Sequence, residues 1–239
     1  MTKFTLSLIL FTIVFSSCHI NGGRRITGNG TVTTQQRNIS SFTGIRVGSS
    51  MKVFISQGTE HSIKVEADEN LMEYIEIKKN GNTLEIDNKD GYNLKPKHTI
   101  KIHITAPEFY ELSVAGSGGI KSKTKISTRD LKINIGGSGD VDVEVDAPEV
   151  TATIGGSGSI SLRGTTRSLS THIGGSGEVH AFQLLSEKAS VNIGGSGDAE
   201  VFASKQLEIS IAGSGDVAYK GTPAVNQRIA GSGDVRKIN

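Results

Sequence analysis

Five carboxylates recur at one position of a repeating phrase, and they are the first residues in this chain to weigh for chemistry. Asp140, Glu178, Asp198, Asp216 and Asp234 each stand three residues after the first glycine of a Gly-Ser-Gly, where two further copies carry Gly119 and Ser159. If the copies stack as strands about 4.8 Å apart, the last four carboxylates form one row. Neighbours at that spacing repel by roughly 0.9 kcal/mol even in water, so the row invites a cation such as Ca²⁺. The plainer reading, which we prefer, leaves each acid solvated or hydrogen-bonded to the glycine corner, stabilising the turn. The calcium roll of G-G-x-G-x-D nonapeptides does not fit. Gly136-Gly137-Ser138-Gly139 matches its glycines, but Asp140 comes one residue early and Val141 occupies the ligand position. The period is also about twice too long for that motif. No other cofactor is read from the sequence.

Carboxylates could also act on a polysaccharide, as in β-helix lyases and glycosidases, which need acids paired at working distance or a carboxylate–metal–Arg groove. Arg163 and Arg167 lie nearby, but nothing in the spacing converges on a catalytic set. The chain has no Trp, and only Tyr110 and Tyr219 among repeat-region tyrosines, so stacking platforms for sugar rings are few. His172 and His180 lie three residues before and five after Gly175, odd offsets that put both on the solvent side. No catalytic residues are therefore assigned. A net charge of +2 and an export signal leave no case for nucleic acid.

These residues are positioned by a repeat. Residues 135–141 read I-G-G-S-G-D-V, and the first glycine of each copy falls at Gly116, Gly137, Gly156, Gly175, Gly195, Gly213 and Gly231. Successive spacings are 21, 19, 19, 20, 18 and 18 residues, a period that points to a solenoid. Two positions before the glycine stand Val114, Ile135, Ile154, Ile173, Ile193, Ile211 and Ile229, and apolar columns also stand six before and four after it. Even spacing of apolar columns, with polar residues between, means strands with one buried face. Each repeat is thus strand, small corner, strand, second corner. Gly-Ser-Gly allows the sharp bend because glycine reaches positive φ without a Cβ clash. The residue before it is always Gly or Ala, which suggests backbone stacked closely on backbone. Pro107, Pro148 and Pro223 mark the second corner, where a missing ladder donor is harmless. A parallel coil and an antiparallel meander both fit this pattern. The coil is preferred, because it makes each column a continuous stack.

The rest of the chain frames the repeats. Residues 1–18 read as a signal: Lys3, an apolar core from Phe4 to Phe15, then Ser16-Ser17 before Cys18, the only cysteine. That ending resembles a bacterial lipobox with Phe15 where Leu is usual, which would make Cys18 the lipidated mature N-terminus. Residues 19–26 form a tether whose Arg24-Arg25 weighs against surface export directed by acidic residues. Residues 27–107 are β-rich without a visible repeat and read as a cover for one end of the solenoid at 108–239, with irregular first coils. Within the cover, Asn80-Gly81 signals a type I′ hairpin and Asp68 an N-cap for a short helix through Tyr74. Arg236 and Lys237 would blunt the other end.

The segments Phe42-Thr43-Gly44-Ile45, residues 51–58 (M-K-V-F-I-S-Q-G), residues 65–71 (V-E-A-D-E-N-L) and the Gly-Ser-Gly-Asp repeats resemble one bacterial family, "putative auto-transporter adhesin, head GIN domain". The resemblance implies a parallel β-solenoid envelope protein, often a lipoprotein. With no translocator barrel after Asn239, self-transport is not expected of this chain. The expectation is an all-β parallel solenoid of 18–21 residues per coil, held at the outer membrane by its N-terminal lipid, on the periplasmic or the surface side. Its role is read as a structural, adhesive or ligand-binding scaffold, with an envelope glycan or protein as partner. A polysaccharide lyase or glycosidase is the alternative.

Overall fold

In the computed structural model, which describes residues 23–39 and 41–239, the repeats wind into about seven stacked parallel turns. The signal and lipidation readings at residues 1–18, and the tether as far as residue 22, lie outside the described residues. Successive copies pair in parallel register: Ile135 with Ile154, Ile154 with Ile173, Ile173 with Ile193, and Ile193 with Ile211. The coil, rather than the meander, is formed.

Alternation explains each coil. In the strand Asp140–Ile154, Val141, Val143, Val145 and Ala147 point inward, followed by Val150, Ala152 and Ile154, and none is more than 2% exposed. The inward parity steps by one residue at Pro148-Glu149. There the strand bends at the second corner while the same face stays inside. Two walls result, one before and one after each Gly-Ser-Gly, and Ile, Val and Leu fill the space between them.

The stack begins earlier in the chain than the Gly-Ser-Gly phrase does. Gly44–Val47 pairs in parallel with Glu111–Val114, and Lys52–Gln57 with Gly119–Ser122, around a corner at Gly48-Ser49-Ser50. On the other side of that turn lie Thr83–Asn88 and Lys101–Ala106. Chain order and stacking order therefore differ: the turn made by residues 44–57 sits between one made later and the repeats proper. Beyond it, Ser62–Asp68 pairs antiparallel with Lys101–Ala106, Val32–Arg37 antiparallel with Ser62–Asp68, and Ile75–Asn80 antiparallel with Thr83–Asn88. Antiparallel strands thus cover this end, with Leu71 and Met72 of a short 3-10 helix, Glu69–Tyr74, buried beneath. The end of the tether and the first residue after it, Arg24–Thr27, form a parallel strand against Tyr92–Lys95.

Three local readings need correction. The hairpin places Asn80 opposite Thr83, so Gly81 and Asn82 are the turn residues. Gly81, at φ +58°, is the positive-φ residue there, which fits a type II′ turn instead of I′. Asp68 does not cap the helix with its side chain. It is buried, accepting hydrogen bonds from the backbone N–H of Lys97 at 2.7 Å and of His98 at 3.3 Å, with His98 Nδ1 at 3.0 Å. Burial alone would raise its pKa, but these partners outweigh it and hold the carboxyl below its ordinary value.

The third correction concerns the corner. Among its first glycines only Gly213 and Gly231 have positive φ. Elsewhere the requirement is close approach. A Cβ on Gly156 would overlap the carbonyl oxygen of Gly137, and one on Gly158 would strike Gly139 and the Ile135 side chain. The ladder runs through the corner, with Ser157 N–H donating to Gly137 O at 3.0 Å and Ser176 N–H to Gly156 O at 3.0 Å. The residue before the corner behaves oppositely. A Cβ at Gly136 meets nothing within 4 Å, and at Gly155 only Ile135 O at 3.9 Å. Nothing in the structure explains why no larger side chain stands in that exposed column.

Candidate functional site

The outer face of the wall after the corner carries rows of charged residues, among them Asp140, Asp142, Glu144, Arg163, Glu178 and Glu200. Its residues alternate with the inward Val and Ile columns, so parity aims them at solvent, and parallel register sets like offsets side by side. At the offset of the five carboxylates, Asp140 lies 3.9 Å from Lys52 Nζ, and Glu178 lies 3.1 Å from His180 Nε2. Asp198 accepts the backbone N–H of Asp216 at 2.8 Å, and Asp216 that of Asp234 at 2.9 Å. Asp198 and Asp216 thus tie one coil to the next, Asp140 reaches across Gly119 to the coil beyond, and the Glu178 contact stays within its own strand. Among the described residues, no three His, Cys, Asp or Glu side chains come together as a metal would need.

Two residues further on, a second row is cross-braced. Asp142 binds Lys121 Nζ at 2.6 Å from one neighbouring coil and Arg163 from the other, while Arg163 Nε also lies 3.7 Å from Glu144. Burial opposes ionisation of Asp142, yet the Lys121 and Arg163 hydrogen bonds prevail and keep its pKa below the usual value. Lys205 lowers that of Glu187 in the same way. A carboxyl with a depressed folded pKa contributes stability that is complete above its unfolded pKa and lost as pH falls through the folded one. Asp142→Asn is thus expected to cost about 1–2 kcal/mol at pH 7. The gap from wild type should close as pH drops below 3.8, the ordinary aspartate value, in urea titrations run at each pH.

One place breaks the regularity. The register between Ser159–Ile173 and Glu178–Ile193 slips between Ser161/His180 and Arg163/Gln183, leaving one extra residue in the second strand. A β-bulge of this kind re-aims a side chain. Regular alternation turns Phe182, half-buried, to the outer face, and the extra residue sets Gln183 outward beside it; Lys220 Nζ lies 5.1 Å from the Phe182 ring centroid. Beside it His180, also half-buried, bridges two coils by bonding Glu178 with one nitrogen and Glu200 with the other, at 3.1 and 3.0 Å. Ser161, Leu162, Arg163, His180, Phe182, Gln183 and Glu200 line a shallow groove of about 250 Å³. It offers an aromatic face ringed by hydroxyl, amide, imidazole and carboxylate groups. His180 was expected only to face solvent, and Phe182 was not singled out. The 20-residue spacing from Gly175 to Gly195 is the signal that marks the extra residue. Arg167 pairs with Glu149 at 3.5 Å and is not in the groove, and His172 is exposed, 3.1 Å from Ser170 Oγ.

The other wall presents rows of short polar side chains. Thr151, Ser170 and Ser190 lie side by side in one outward row, and Thr153, His172 and Asn192 in the next.

The family model described as "putative auto-transporter adhesin, head GIN domain" matches residues 41–223. A crystal structure of a "putative lipid binding protein" from Parabacteroides distasonis is 30% identical, with 90% of this chain and 100% of that one covered and a TM-score of 0.78. A "putative adhesin" from Bacteroides fragilis superposes with a TM-score of 0.83 at 22% identity, over 89% and 100% of the two chains. One from Parabacteroides merdae does so at 0.70 and 24% identity, over 90% and 100%. No curated protein matches. With the family model spanning most of a chain wound as stacked parallel turns, this protein belongs to the family of the putative auto-transporter adhesin, head GIN domain.

Proposed function

We propose that the protein is a lipid-anchored scaffold of the cell envelope that binds its ligand without transforming it, and that an envelope glycan is that ligand. The groove at Phe182, with its aromatic face among polar groups, is the contact point, and the polar rows of the opposite wall extend the surface. Adhesive or lipid-binding roles suggested by the names of the relatives would also have to use the outside of the solenoid, since side chains fill its interior.

One observation carries the non-catalytic reading. Most outer-face acids are paired with Lys, Arg, His or backbone N–H groups of the solenoid itself, and the pKa values of Glu66, Asp68, Asp142 and Glu187 all lie below their ordinary values. A general acid needs the opposite, a carboxyl kept protonated near neutral pH.

The test incubates the purified protein with polysaccharide extracted from the producing envelope, and reads both binding and polymer length. Saturable binding is expected, weakened about fivefold or more by Phe182→Ala through loss of the stacking face, with polymer length unchanged. Shortening that disappears in Glu200→Gln would overturn the reading in favour of a lyase or glycosidase. The anchor is tested by metabolic labelling with a clickable fatty acid. The wild type should be labelled and Cys18→Ser should not, and equal labelling of both would remove the lipid from the proposal.

A further inference from the structure

One end of the stack is covered by antiparallel strands, and the other is open. Among the described residues, the strand Ala224–Gly231 pairs only with Gln206–Gly213, and all eight of its residues are exposed. Its inward columns continue those beneath. Val225 lies over Leu207 and Ile229 over Ile211, but these are 39% and 40% exposed where the residues below are 0% and 1%. What shows at this end is the solenoid's own core. Such an edge is a template for another strand. At the covered end one edge strand, Ile75–Asn80, carries Lys78 and Lys79, and the other, Val32–Arg37, is mostly polar and ends in Arg37.

We propose that this open end is a self-association surface, on which Ala224–Gly231 pairs antiparallel with the same strand of a second copy about a two-fold axis through Gln227. Inward residues must meet inward residues across the pair, which leaves few registers. Centred on Gln227, the pairing sets Val225 opposite Ile229, Asn226 opposite Arg228, Ala224 opposite Ala230 and Gln227 opposite itself. Apolar meets apolar, amide meets guanidinium or amide, and no like charges face each other. Centring on Arg228 would oppose two guanidinium groups, and centring on Asn226 would put Val225 against Gln227.

Gln227 supplies a second argument. It stands over Ile209 in a buried column, Ile133, Ala152, Thr171, Val191 and Ile209, in which Thr171 is the one other polar member and is far smaller than an amide side chain. An amide there is out of place in a single chain. On a two-fold axis two amides satisfy each other. The contact is isologous and closes at a dimer. The shorter strand Val235–Lys237, with Arg236 and Lys237 exposed, offers no such match, so the longer strand carries the association.

The test is cysteine crosslinking of the full chain in the producing cells. Directly opposed residues of an antiparallel pair have Cα atoms roughly 4.5–5.5 Å apart, within disulfide range. Under mild oxidation Gln227→Cys should give a band of twice the chain's mass, at least about tenfold stronger than Thr153→Cys, which lies on an outer face away from this end. Should Gln227→Cys fail to accumulate, Val225→Cys co-produced with Ile229→Cys reads the same register and should crosslink, while each alone should not. Equal bands from Gln227→Cys and Thr153→Cys, ladders above the dimer, a band of another mass, or no band from either design would overturn the proposal.

Discussion

Valine at Gly156 is expected to destabilise the protein by more than about 2 kcal/mol, the range of overpacking and backbone clash at a site that cannot relax. Any Cβ at Gly156 would overlap the Gly137 carbonyl, and that carbonyl already accepts the N–H of Ser157. Relief requires moving one coil off the next, which breaks ladder bonds on both sides. Two neighbours serve as controls. Ser157→Ala should cost less than about 1 kcal/mol, since an exposed corner hydroxyl makes at most a modest hydrogen bond. Gly155→Ala should be close to neutral, because its Cβ would lie 3.9 Å from the nearest heavy atom, Ile135 O. Urea denaturation of the three variants reads the difference, and a Gly156→Val midpoint equal to that of Gly155→Ala would contradict the close stacking.

Ile154→Asp or Ile173→Asp should cost several kcal/mol, as each places an unpaired carboxylate inside the solenoid. The two isoleucines are paired across adjoining coils and are 1% and 2% exposed. Their sequence neighbours Thr153 and His172 are paired in the same ladder but point outward. Aspartate at either of those should change stability by no more than about 0.5–1 kcal/mol. Equal losses at inward and outward positions would mean the strand parity is wrong.

The coil itself was legible because its causes are local and repeated. Period-2 columns assign the inward face, and an invariant small corner makes sense only where backbone meets backbone. What escaped was non-local or irregular. The turn at residues 44–57 has Gly48-Ser49-Ser50 in place of Gly-Ser-Gly, and no local pattern tells that it stacks beneath a turn made later in the chain. Asp68 looked like a cap by position alone, whereas its partners Lys97 and His98 come from a distant loop. The row of the last four carboxylates was legible, but the bonding of Asp140 to Lys52 and of Asp198 to neighbouring backbone depends on which offsets register brings together. The small residue before the corner invited a steric reading that belongs to the glycines one and three positions later. The groove at Phe182 was visible only as an extra residue in one repeat.

Hydrogen–deuterium exchange on the wild type and Gly156→Val tests most directly whether the coils act as one stack. The corner amides bridge coils, Ser157 to Gly137 below and Ser176 to Gly156 above, so a displaced corner should loosen both neighbours. Faster exchange in Gly156→Val is expected at its own corner and at the corners of Gly137 and Gly175. Loosening confined to residues 154–160, with both flanking corners as protected as in the wild type, would contradict a continuous stack of coils.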